Sequence, residues 1–524
     1  MGNDPNRRFF LEGVGAVAIA GSVVAPCRLT RAVAAPGSPI GSPYSHATEL
    51  TTALTNKTVS SRELVDDAIA RIETLDTKVN AVVVRDFAAA REAAKAADEA
   101  LARGERRPLL GLPMTVKESF NVAGLPTTWG NPKSRNWRPD ADALAVSRLK
   151  AAGAVLLGKT NVPIDLADWQ SYNEIYGTTN NPWDLTRTPG GSSGGSAAAL
   201  AAGFVALELG SDIGGSLRAP AHFCGVFAHK PSIDLVPLRG GGPPGTPPLL
   251  PIRSDLAVFG PMARSAADLT VALAVLAGPD EMTDGIGYKL TLPPARHTVL
   301  KDFRVLLLDT HPLCPTANSV KGALDQLADR LSQTGCAVSR TSRRLPDLAR
   351  TTQLYGELLL ASYMTDLPAT VRQRVEDAAQ ALSPEDESLA AYRLRGLTIS
   401  HPDWVRANRT RAVLRQRWQD LFNDFDVVLC PVMPTPAFPH DHSPKPMRRL
   451  DIDGKLVAYD DQIVWAGIAT LFGLPATVAP IGHSEVGLPI GVQIIGGFLE
   501  DLTTIAFAEQ VEREYGGFVP PAMQ

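Results

Sequence analysis

Two glycine- and serine-rich segments lie close together in the middle of the chain. Residues 190–196 read GGSSGGS, residues 211–216 read SDIGGS, and an alanine-rich run separates them. Glycine lets the backbone approach a reacting group closely, and a serine hydroxyl can act as a nucleophile or carry a proton. The pair therefore predicts a folded site for acyl transfer, where backbone amides and hydroxyls meet.

Two other interpretations of these segments fit the sequence less well. A flexible linker would continue in polar, low-complexity sequence, whereas residue 196 is followed directly by AAALAAGFVAL. A phosphate-binding loop would carry GxxxxGK[ST] or a GxGxxG placed between a strand and a helix, and neither pattern occurs here. The segments are better explained as part of a packed core.

The overall composition is that of an ordinary globular protein. The chain has 524 residues, of which 44% are hydrophobic and 20% are charged, with a net charge of −4. A chain of this length can form several domains or one large α/β domain. The charge balance gives no sign of nucleic-acid binding, and the composition excludes wholesale disorder.

Residues 1–34 have a different character from the rest of the chain. Arg7 and Arg8 precede FFL and a weakly apolar run, and Ala32 and Ala34 are small residues of the kind found at cleavage sites. The run is too short for a membrane span, which needs about 20 apolar residues. The pattern resembles a bacterial twin-arginine export signal. We expect removal after residue 34, a periplasmic or secreted protein, and no stable membrane insertion; an irregular start of a cytosolic protein is the alternative.

Four cysteines follow this segment: Cys224, Cys314, Cys336 and Cys430. This number is too small for a disulfide scaffold, and no CxxC spacing occurs among them. We expect four buried thiols, although one bridge in an oxidising compartment fits the sequence as well.

The order of elements along the chain predicts an α/β fold. Ser60 and Glu63 have capping-box spacing at the start of an amphipathic helix, and short strands then alternate with helices to about residue 230. Strand patterns return at 426–431 and in two runs between residues 474 and 496. We therefore predict one domain, residues 35–524, whose sheet is completed by its C-terminal third. Residues 345–420 form a polar helical insert with no candidate chemistry.

An apolar run over residues 109–116 ends abruptly at Lys117. This pattern predicts a buried strand that delivers a lysine to an interior edge of the sheet. Burial would lower the lysine pKa from its ordinary value of about 10.4, and a neutral amine could then accept a proton from a serine. The alternative is a partly buried lysine paired with Glu118 or another acid.

Four motifs together resemble the amidase signature family. They are the two serine segments, VKE at residues 116–118, and GLPIGVQ at residues 487–493. The resemblance extends from Ser60 to about residue 510. It implies a single α/β domain with a central mixed β-sheet flanked by helices, and a serine hydrolase that cleaves carboxylic amides through a Ser-Ser-Lys triad and a covalent acyl-enzyme. It implies no metal and no cofactor.

The resemblance also assigns roles to residues of this sequence. Ser216 is the implied nucleophile, Ser192 the serine that carries the proton, and Lys117 the base. The implied oxyanion hole consists of the backbone amides of Ile213, Gly214, Gly215 and Ser216. Family members hold the bridging serine after a cis peptide bond, and glycine at position 191 suits that geometry.

Neighbouring residues are expected to support this site. Asp212 and Arg218 flank the implied nucleophile and would pair with nearby groups to hold its turn. Ser193 and Ser196 would hydrogen-bond the loop and cap the following helix. By the same matching, Leu166 and Trp169 lie near the acyl pocket, and ordinary core positions are the alternative for both.

Three alternative functions remain open. Residues 190–194 satisfy GxSxG, so Ser192 could be the nucleophile of an esterase of the α/β-hydrolase type, although the polar DLTRTP that precedes it is a poor strand. A glutamine-dependent amidotransferase subunit shares the triad, yet it works in the cytosol with partner chains. A binding module without activity would be expected to lack one of the triad residues.

The sequence leaves the substrate and the assembly open. The expected partner is a small-molecule amide, and the family includes enzymes for aliphatic, aryl, peptide-terminal and fatty acyl amides, some of which also cleave esters. The chain is compatible with a monomer or a homodimer. His440 and His442 flank Asp441 in a proline-rich loop, where no third metal ligand is evident.

Overall fold

The computed structural model describes residues 42–247, 249–250, 254–361 and 368–523. The predicted export signal, residues 1–34, lies outside the described residues. No helix in the described part is long and apolar enough to cross a membrane.

Helices occur along the whole described part of the chain. Their bounds are α1 Ala47–Thr55, α2 Ser61–Val79, α3 Phe87–Ala102, α4 Leu144–Ala151, α5 Gly194–Ala201, α6 Arg218–Cys224, α7 Ala266–Leu276, α8 Asn318–Gln333, α9 Leu348–Ala361, α10 Ala369–Gln380, α11 Leu389–Leu397, α12 His401–Leu421, α13 Val464–Leu471 and α14 Asp501–Tyr515. Helix α2 begins as predicted, because Ser60 and Glu63 form the capping box.

The strands form one large sheet and two short pairs. Their bounds are β1 Val82–Arg85, β2 Pro113–Lys117, β3 Val155–Thr160, β4 Tyr172–Asn173, β5 Gly177–Thr178, β6 Leu207–Asp212, β7 Phe227–Lys230, β8 Val258–Ala263, β9 Arg304–Leu307, β10 Ala337–Ser339, β11 Val427–Pro431, β12 Arg449–Ile452, β13 Lys455–Ala458, β14 Ala476–His483 and β15 Pro489–Ile495. The large sheet has 11 strands in the order β1-β3-β2-β6-β8-β7-β14-β15-β11-β9-β10.

The large sheet is mixed. Strand β2 runs parallel to β3 and β6, whereas β14 is antiparallel to both β7 and β15. Strands β14, β15 and β11, from the last fifth of the chain, continue the sheet begun by β1 to β8. The predicted fold class, a single α/β domain with a mixed central sheet flanked by helices, is confirmed.

Two parallel strands bring the predicted site residues to one edge of the sheet. Strand β2 ends at Lys117, and its neighbour β6 ends at Asp212, directly before residues 213–216. The carboxyl ends of parallel neighbouring strands lie at the same edge, where open α/β sheets usually bind ligands. Helix α5 is wholly buried, because its small residues let it pack against β2, β3 and β6.

The structure differs from the expected elements at one point near the site. Residues 158–163 are predicted to form a loop, yet β3 continues through Thr160. Lys159 and Thr160 pair with Val116 and Lys117 of β2, so the strand extends beyond the apolar residues 155–157. Strand pairing is a long-range contact that overrides the local preference of these residues.

Helices α9 to α12 occupy most of the predicted insert. Helix α9 is not polar throughout: it buries Leu354, Tyr355 and Leu358, and it packs against α13 and α11. The insert is therefore anchored in the main core through α9.

Candidate active site

Lys117 ends β2 inside the protein. Its side chain is fully buried, and its Nζ lies 2.7 Å from Oγ of Ser192 and 2.8 Å from Oγ of Ser211. Burial lowers the pKa of Lys117 from 10.5 to about 7, against the opposing effect of the Asp212 carboxylate. Near neutral pH a large share of Lys117 is therefore an uncharged amine whose lone pair can accept a serine proton.

The alternative ion pair between Lys117 and Glu118 is not formed. Glu118 accepts hydrogen bonds from the backbone N–H of Thr128 at 2.6 Å and of Trp129 at 3.0 Å. Strand β2 ends at Lys117 and Glu118 begins a turn, so the two side chains bind different groups. Lys117 is left with hydroxyl groups, rather than a carboxylate, as its hydrogen-bond partners.

Ser192 lies in the loop that leads into α5. The Gly191–Ser192 peptide bond is cis, and the Ser192 side chain is buried beside Lys117. A Cβ at position 191 would lie 2.3 Å from the carbonyl oxygen of Asp168, so only glycine fits there. The close packing of this loop against residues 168–170 fixes the position of Ser192.

Ser216 lies at the wall of a cavity. Its residue is 7% exposed, and its carbonyl accepts a hydrogen bond of 3.1 Å from the backbone N–H of Ser193. This bond joins the two serine segments directly. Within the described part of the chain, nothing hydrogen-bonds to the Ser216 hydroxyl, which leaves Oγ available to the cavity.

Asp212 and Arg218 form a buried ion pair under the turn that carries Ser216. The guanidinium donates to both Asp212 oxygens, at 3.0 and 2.8 Å. Burial by itself would raise the pKa of Asp212, but the Arg218 charge and hydrogen bonds outweigh it and lower the pKa to about 2. Gln493 of the GLPIGVQ motif accepts a further hydrogen bond from Arg218 at 2.5 Å. The pair thus ties the turn to β15.

Residues 213–216 form the turn between β6 and α6, and we call them the oxyanion loop after their predicted role. The cavity is lined by Ile213, Gly214 and Ser216 of this loop. Within the described residues, no acceptor takes a hydrogen bond from the backbone N–H of these three. Their amides are therefore available to a developing negative charge.

Gly215 differs from the other members of the oxyanion loop. Its N–H is predicted to face the oxyanion, yet it donates to Oδ1 of Asp212 at 2.9 Å, and the residue is buried behind the cavity wall. The reason is that the Asp212 carboxylate accepts hydrogen bonds from amides of this turn: one oxygen accepts from Gly215, and the other accepts from the Leu217 N–H at 3.0 Å. Gly215 therefore has a structural hydrogen bond where the sequence suggests a substrate contact.

Ser193 and Ser196 hydrogen-bond within the fold, but Ser193 does not cap α5 as predicted. The Ser193 hydroxyl donates to the carbonyl of Ser211 at 3.3 Å, and no side-chain cap forms at the start of the helix. The Ser196 hydroxyl lies 2.8 Å from Oγ1 of Thr160. Both serines link α5 to neighbouring strands of the sheet.

The cavity beside Ser216 has a volume of about 170 Å³. Leu166 and Trp169 lie in its wall, as the sequence matching expects. The other apolar lining residues are Ala167, Gly356, Leu359, Leu360 and Ile463. Three of these belong to helix α9 of the insert, so the region without candidate chemistry contributes directly to the cavity.

The charged side chains of the cavity wall are paired. Arg393 donates to Asp461 at 2.7 Å, and Nζ of Lys445 lies 3.3 Å from Asp460. Asp168, the remaining charged residue of the wall, accepts hydrogen bonds from Arg448 and Tyr459, both at 2.6 Å. The cavity therefore presents apolar surface together with charges that are already neutralised.

Three residues near the site are absent from the sequence prediction. Ser211 contacts Lys117, Gln493 holds Arg218, and Tyr355 of α9 donates a hydrogen bond of 2.6 Å to the carbonyl of Ile213. Ser211 lies in the SDIGGS segment and Gln493 in the GLPIGVQ motif, so these motifs could have identified both as site residues. Tyr355 lies about 140 residues from its partner in sequence, and no local pattern identifies it.

The nucleophile-elbow alternative lacks its structural requirements. No strand leads into Ser192, since residues 188–191 have irregular backbone. The two histidines after Ser216 are packed elsewhere: His222 contacts the backbone of Gly491 and Thr435, and His229 contacts Thr477 and Asp501.

The four cysteines in the described part are all buried free thiols, as expected.

Comparison with known proteins agrees with these features. A family model described as Amidase matches residues 63–505. The chain is 33% identical over 474 residues to a glutamyl-tRNA(Gln) amidotransferase subunit from Roseiflexus castenholzii, covering 87% of this chain and 92% of that protein. It is 32% identical over 503 residues to fatty-acid amide hydrolase 2-A of Danio rerio, covering 91% and 89%. The crystal structure of an amidase has a TM-score of 0.70 at 27% identity, covering 90% and 100%.

The extent of these matches decides the family. The family model spans β2, both serine segments and β15, which are the elements that carry the candidate site. Relatives more than 30% identical are covered over most of their own length. The chain therefore belongs to the amidase signature family of amide hydrolases.

Proposed function

We propose that this amidase hydrolyses uncharged carboxylic amides with a compact apolar acyl group, through an acyl-enzyme on Ser216. The contact between Lys117 and Ser192 is the main support for this function. Nζ of the buried Lys117 lies 2.7 Å from Oγ of Ser192, in a loop that is hydrogen-bonded to the backbone of Ser216. A buried lysine with a pKa of about 7 is partly neutral near neutral pH, and it provides the base that an otherwise weak hydroxyl nucleophile requires.

The first half of the reaction forms the acyl-enzyme. Ser216 Oγ attacks the amide carbon while its proton passes to Ser192, whose own proton passes to Lys117. The amides of Ile213, Gly214 and Ser216 stabilise the negative charge on the carbonyl oxygen. The carbon–nitrogen bond then breaks, and the leaving amine takes a proton back from Lys117 through Ser192. This transfer requires the hydroxyls of Ser192 and Ser216 to come within hydrogen-bond distance when substrate is bound.

The second half releases the acid. A water molecule attacks the ester of Ser216 and gives its proton to Lys117 through Ser192. The same backbone amides stabilise the second oxyanion. Ser216 leaves with the proton returned along the same path, and the carboxylic acid and free enzyme result.

The cavity supports the choice of acyl group. Its volume of about 170 Å³ and its aliphatic and aromatic lining suit a branched alkyl chain or an aromatic ring. A carboxylate or ammonium in the acyl group would be desolvated there without a partner, since Arg393 and Lys445 are already engaged with acids. Neutral apolar acyl groups are therefore favoured.

Active-site labelling combined with a substrate panel tests the proposal. The purified protein is treated with a fluorophosphonate, and the adduct is located by peptide mass spectrometry. We expect the label on Ser216, and faster hydrolysis of anilides of apolar acids than of matched anilides with a carboxylate in the acyl group. A label on Ser192 would favour the elbow mechanism. Failure to label and to hydrolyse any member of the panel would reject the proposal.

The rate of acylation is expected to fall on acidification. Lys117 acts as a base only when neutral, and its pKa is lowered to about 7. Below that pH the lysine takes up a proton, so kcat/KM should fall about tenfold per pH unit and level off above it. The measurement is the pH profile of kcat/KM with a neutral anilide, whose own charge does not change. A profile that stays flat down to pH 5 would contradict a lysine base.

A second candidate function is that of an amidotransferase component. It is favoured by the 33% identity to the glutamyl-tRNA(Gln) amidotransferase subunit from Roseiflexus castenholzii. That role would require glutamine as the ammonia donor and partner chains. Glutaminase activity that appears only with added partner chains, without hydrolysis of anilides by the isolated chain, would favour it over the hydrolase.

We further propose that residues 1–34 direct export to the periplasm or medium and are then removed. The proposal rests on Arg7, Arg8 and the small residues Ala32 and Ala34. The mass of the protein from a bacterial envelope fraction should correspond to a chain that begins at Ala35. Replacing both arginines by lysine should leave the full-length protein in the cytosol. An intact N-terminus on exported protein would contradict cleavage.

A further inference from the structure

We infer that Tyr355 and Trp169 are positioning residues that hold the oxyanion loop in its working conformation. The inference rests on the proposed function, since it concerns the loop that stabilises the oxyanion. Tyr355 belongs to helix α9 of the insert, and Trp169 lies in the segment that packs against Gly191. Both act on backbone carbonyls, and neither has to touch the reacting atoms.

Each carbonyl of the loop is held by a different partner. Ile213 accepts from the Tyr355 hydroxyl at 2.6 Å, and Gly214 accepts from the indole Nε1–H of Trp169 at 3.0 Å. The carbonyls of Gly215 and Ser216 accept from the backbone N–H of Ala219 at 2.7 Å and of Ser193 at 3.1 Å respectively. Two of the four fixed points are therefore side chains, and both can be removed by substitution.

Holding a carbonyl fixes the next amide. A trans peptide is planar, so its C=O and N–H point in opposite directions. The bond from Tyr355 to the Ile213 carbonyl therefore directs the Gly214 N–H to the opposite side. The bond from Trp169 to the Gly214 carbonyl likewise directs the Gly215 N–H away from Trp169, where it meets Asp212 at 2.9 Å.

This arrangement separates the two glycine amides. Gly214 lines the cavity with its N–H unused by the described residues, whereas Gly215 is buried with its N–H on Asp212. Two consecutive glycines have the widest choice of backbone angles of any dipeptide, so their sequence alone cannot hold this alternation. The two aromatic side chains supply the missing restraint.

The surroundings of Tyr355 keep its hydroxyl in place. The residue is fully buried, and its ring lies so close to α13 that a Cβ at Gly467 would come within 2.5 Å of Cδ1. A buried tyrosine hydroxyl needs a hydrogen-bond partner, and the Ile213 carbonyl provides one. This hydrogen bond connects the insert to the oxyanion loop.

The test is Tyr355→Phe, which removes the hydroxyl and keeps the ring against Gly467. Complete loss of an oxyanion donor lowers kcat by about 10²- to 10³-fold. In Tyr355→Phe the Gly214 N–H remains but its peptide is no longer held, so kcat should fall by roughly tenfold or more. KM should change little, because the cavity wall is unaltered. The affinity of a trifluoromethyl ketone, which forms an oxyanion on Ser216, should fall in proportion to kcat. The pH midpoint should stay unchanged, because Tyr355 does not contact Lys117.

Tyr392→Phe is the matched control. Tyr392 lies on α11 of the same insert, stacked beneath the guanidinium of Arg395, and we expect wild-type kcat from this variant. If Tyr355→Phe keeps wild-type kcat, or raises only KM, the inference is overturned. If neither the wild-type protein nor Tyr392→Phe hydrolyses amides or labels at Ser216, the proposed function has failed instead.

A second variant covers the case in which Tyr355→Phe does not fold. Trp169→Phe keeps an aromatic ring but removes the donor to the Gly214 carbonyl. Because Trp169 also lines the cavity, the decisive quantity is the loss of ketone affinity relative to the change in KM. The inference is supported if the variant loses more affinity for the ketone than its KM for substrate rises, and it is overturned if the two changes are equal. Where both variants fold, their combined effect should be less than the product of the single effects.

Discussion

Ser216→Ala is expected to abolish amide hydrolysis. The variant lacks the oxygen that becomes acylated, so kcat should fall by roughly 10⁴-fold or more. The fold should survive, because the Ser216 hydroxyl has no partner among the described residues and the backbone bond to Ser193 remains. The measurements are turnover of an apolar anilide, labelling by a fluorophosphonate, and the melting temperature.

The control for this variant is Ser147→Ala, which removes an exposed serine hydroxyl on α4. It should keep wild-type turnover and labelling. Substantial turnover by Ser216→Ala, or a fluorophosphonate adduct that persists on Ser192, would mean that Ser216 is not the nucleophile.

Lys117→Met should have the second-largest effect. Methionine has a similar length and suits a fully buried position, but it cannot accept a proton. General bases contribute about 10²- to 10⁴-fold, so we expect a loss of kcat near the upper end of that range. The residual activity should no longer decline below pH 7, because the group that titrates there is gone.

Substrate binding separates this effect from a structural one. Lys117 lies behind Ser192 and does not line the cavity, so the affinity for an apolar competitive inhibitor should remain close to wild type. Lys150→Met, on the exposed end of α4, is the control for loss of a lysine charge. An unchanged pH profile in Lys117→Met, or a lost inhibitor affinity with normal kcat, would contradict a role as the base.

Much of the fold was predictable because it depends on local patterns. Apolar runs with abrupt polar ends indicate buried strands, and β2 ends at Lys117 as that pattern predicts. Helix α2 likewise begins where a local pattern, the capping box, predicts. Local preference does not predict the last two residues of β3, since Lys159 and Thr160 join the sheet through pairing with β2.

The candidate site also has features that short sequence patterns predict and features that they do not. The serines at 192 and 216 are recognisable because glycine and serine at fixed spacing are unusual in a packed core. The direction of each amide in the oxyanion loop is not encoded by that spacing. Gly214 and Gly215 are identical residues in sequence, yet one lines the cavity and the other donates to Asp212.

The α/β class, the family, and the lysine and serines of the candidate site are all readable in the amino-acid sequence. The class follows from the apolar periodicity of single elements, whereas the family and the site residues follow from the resemblance of short motifs. The contacts of Ser211 with Lys117, of Gln493 with Arg218, and of Tyr355 with the oxyanion loop are visible only in the folded protein. Hydrogen bonds between distant segments depend on how helices and strands pack, and packing is a property of the whole chain that no local pattern encodes.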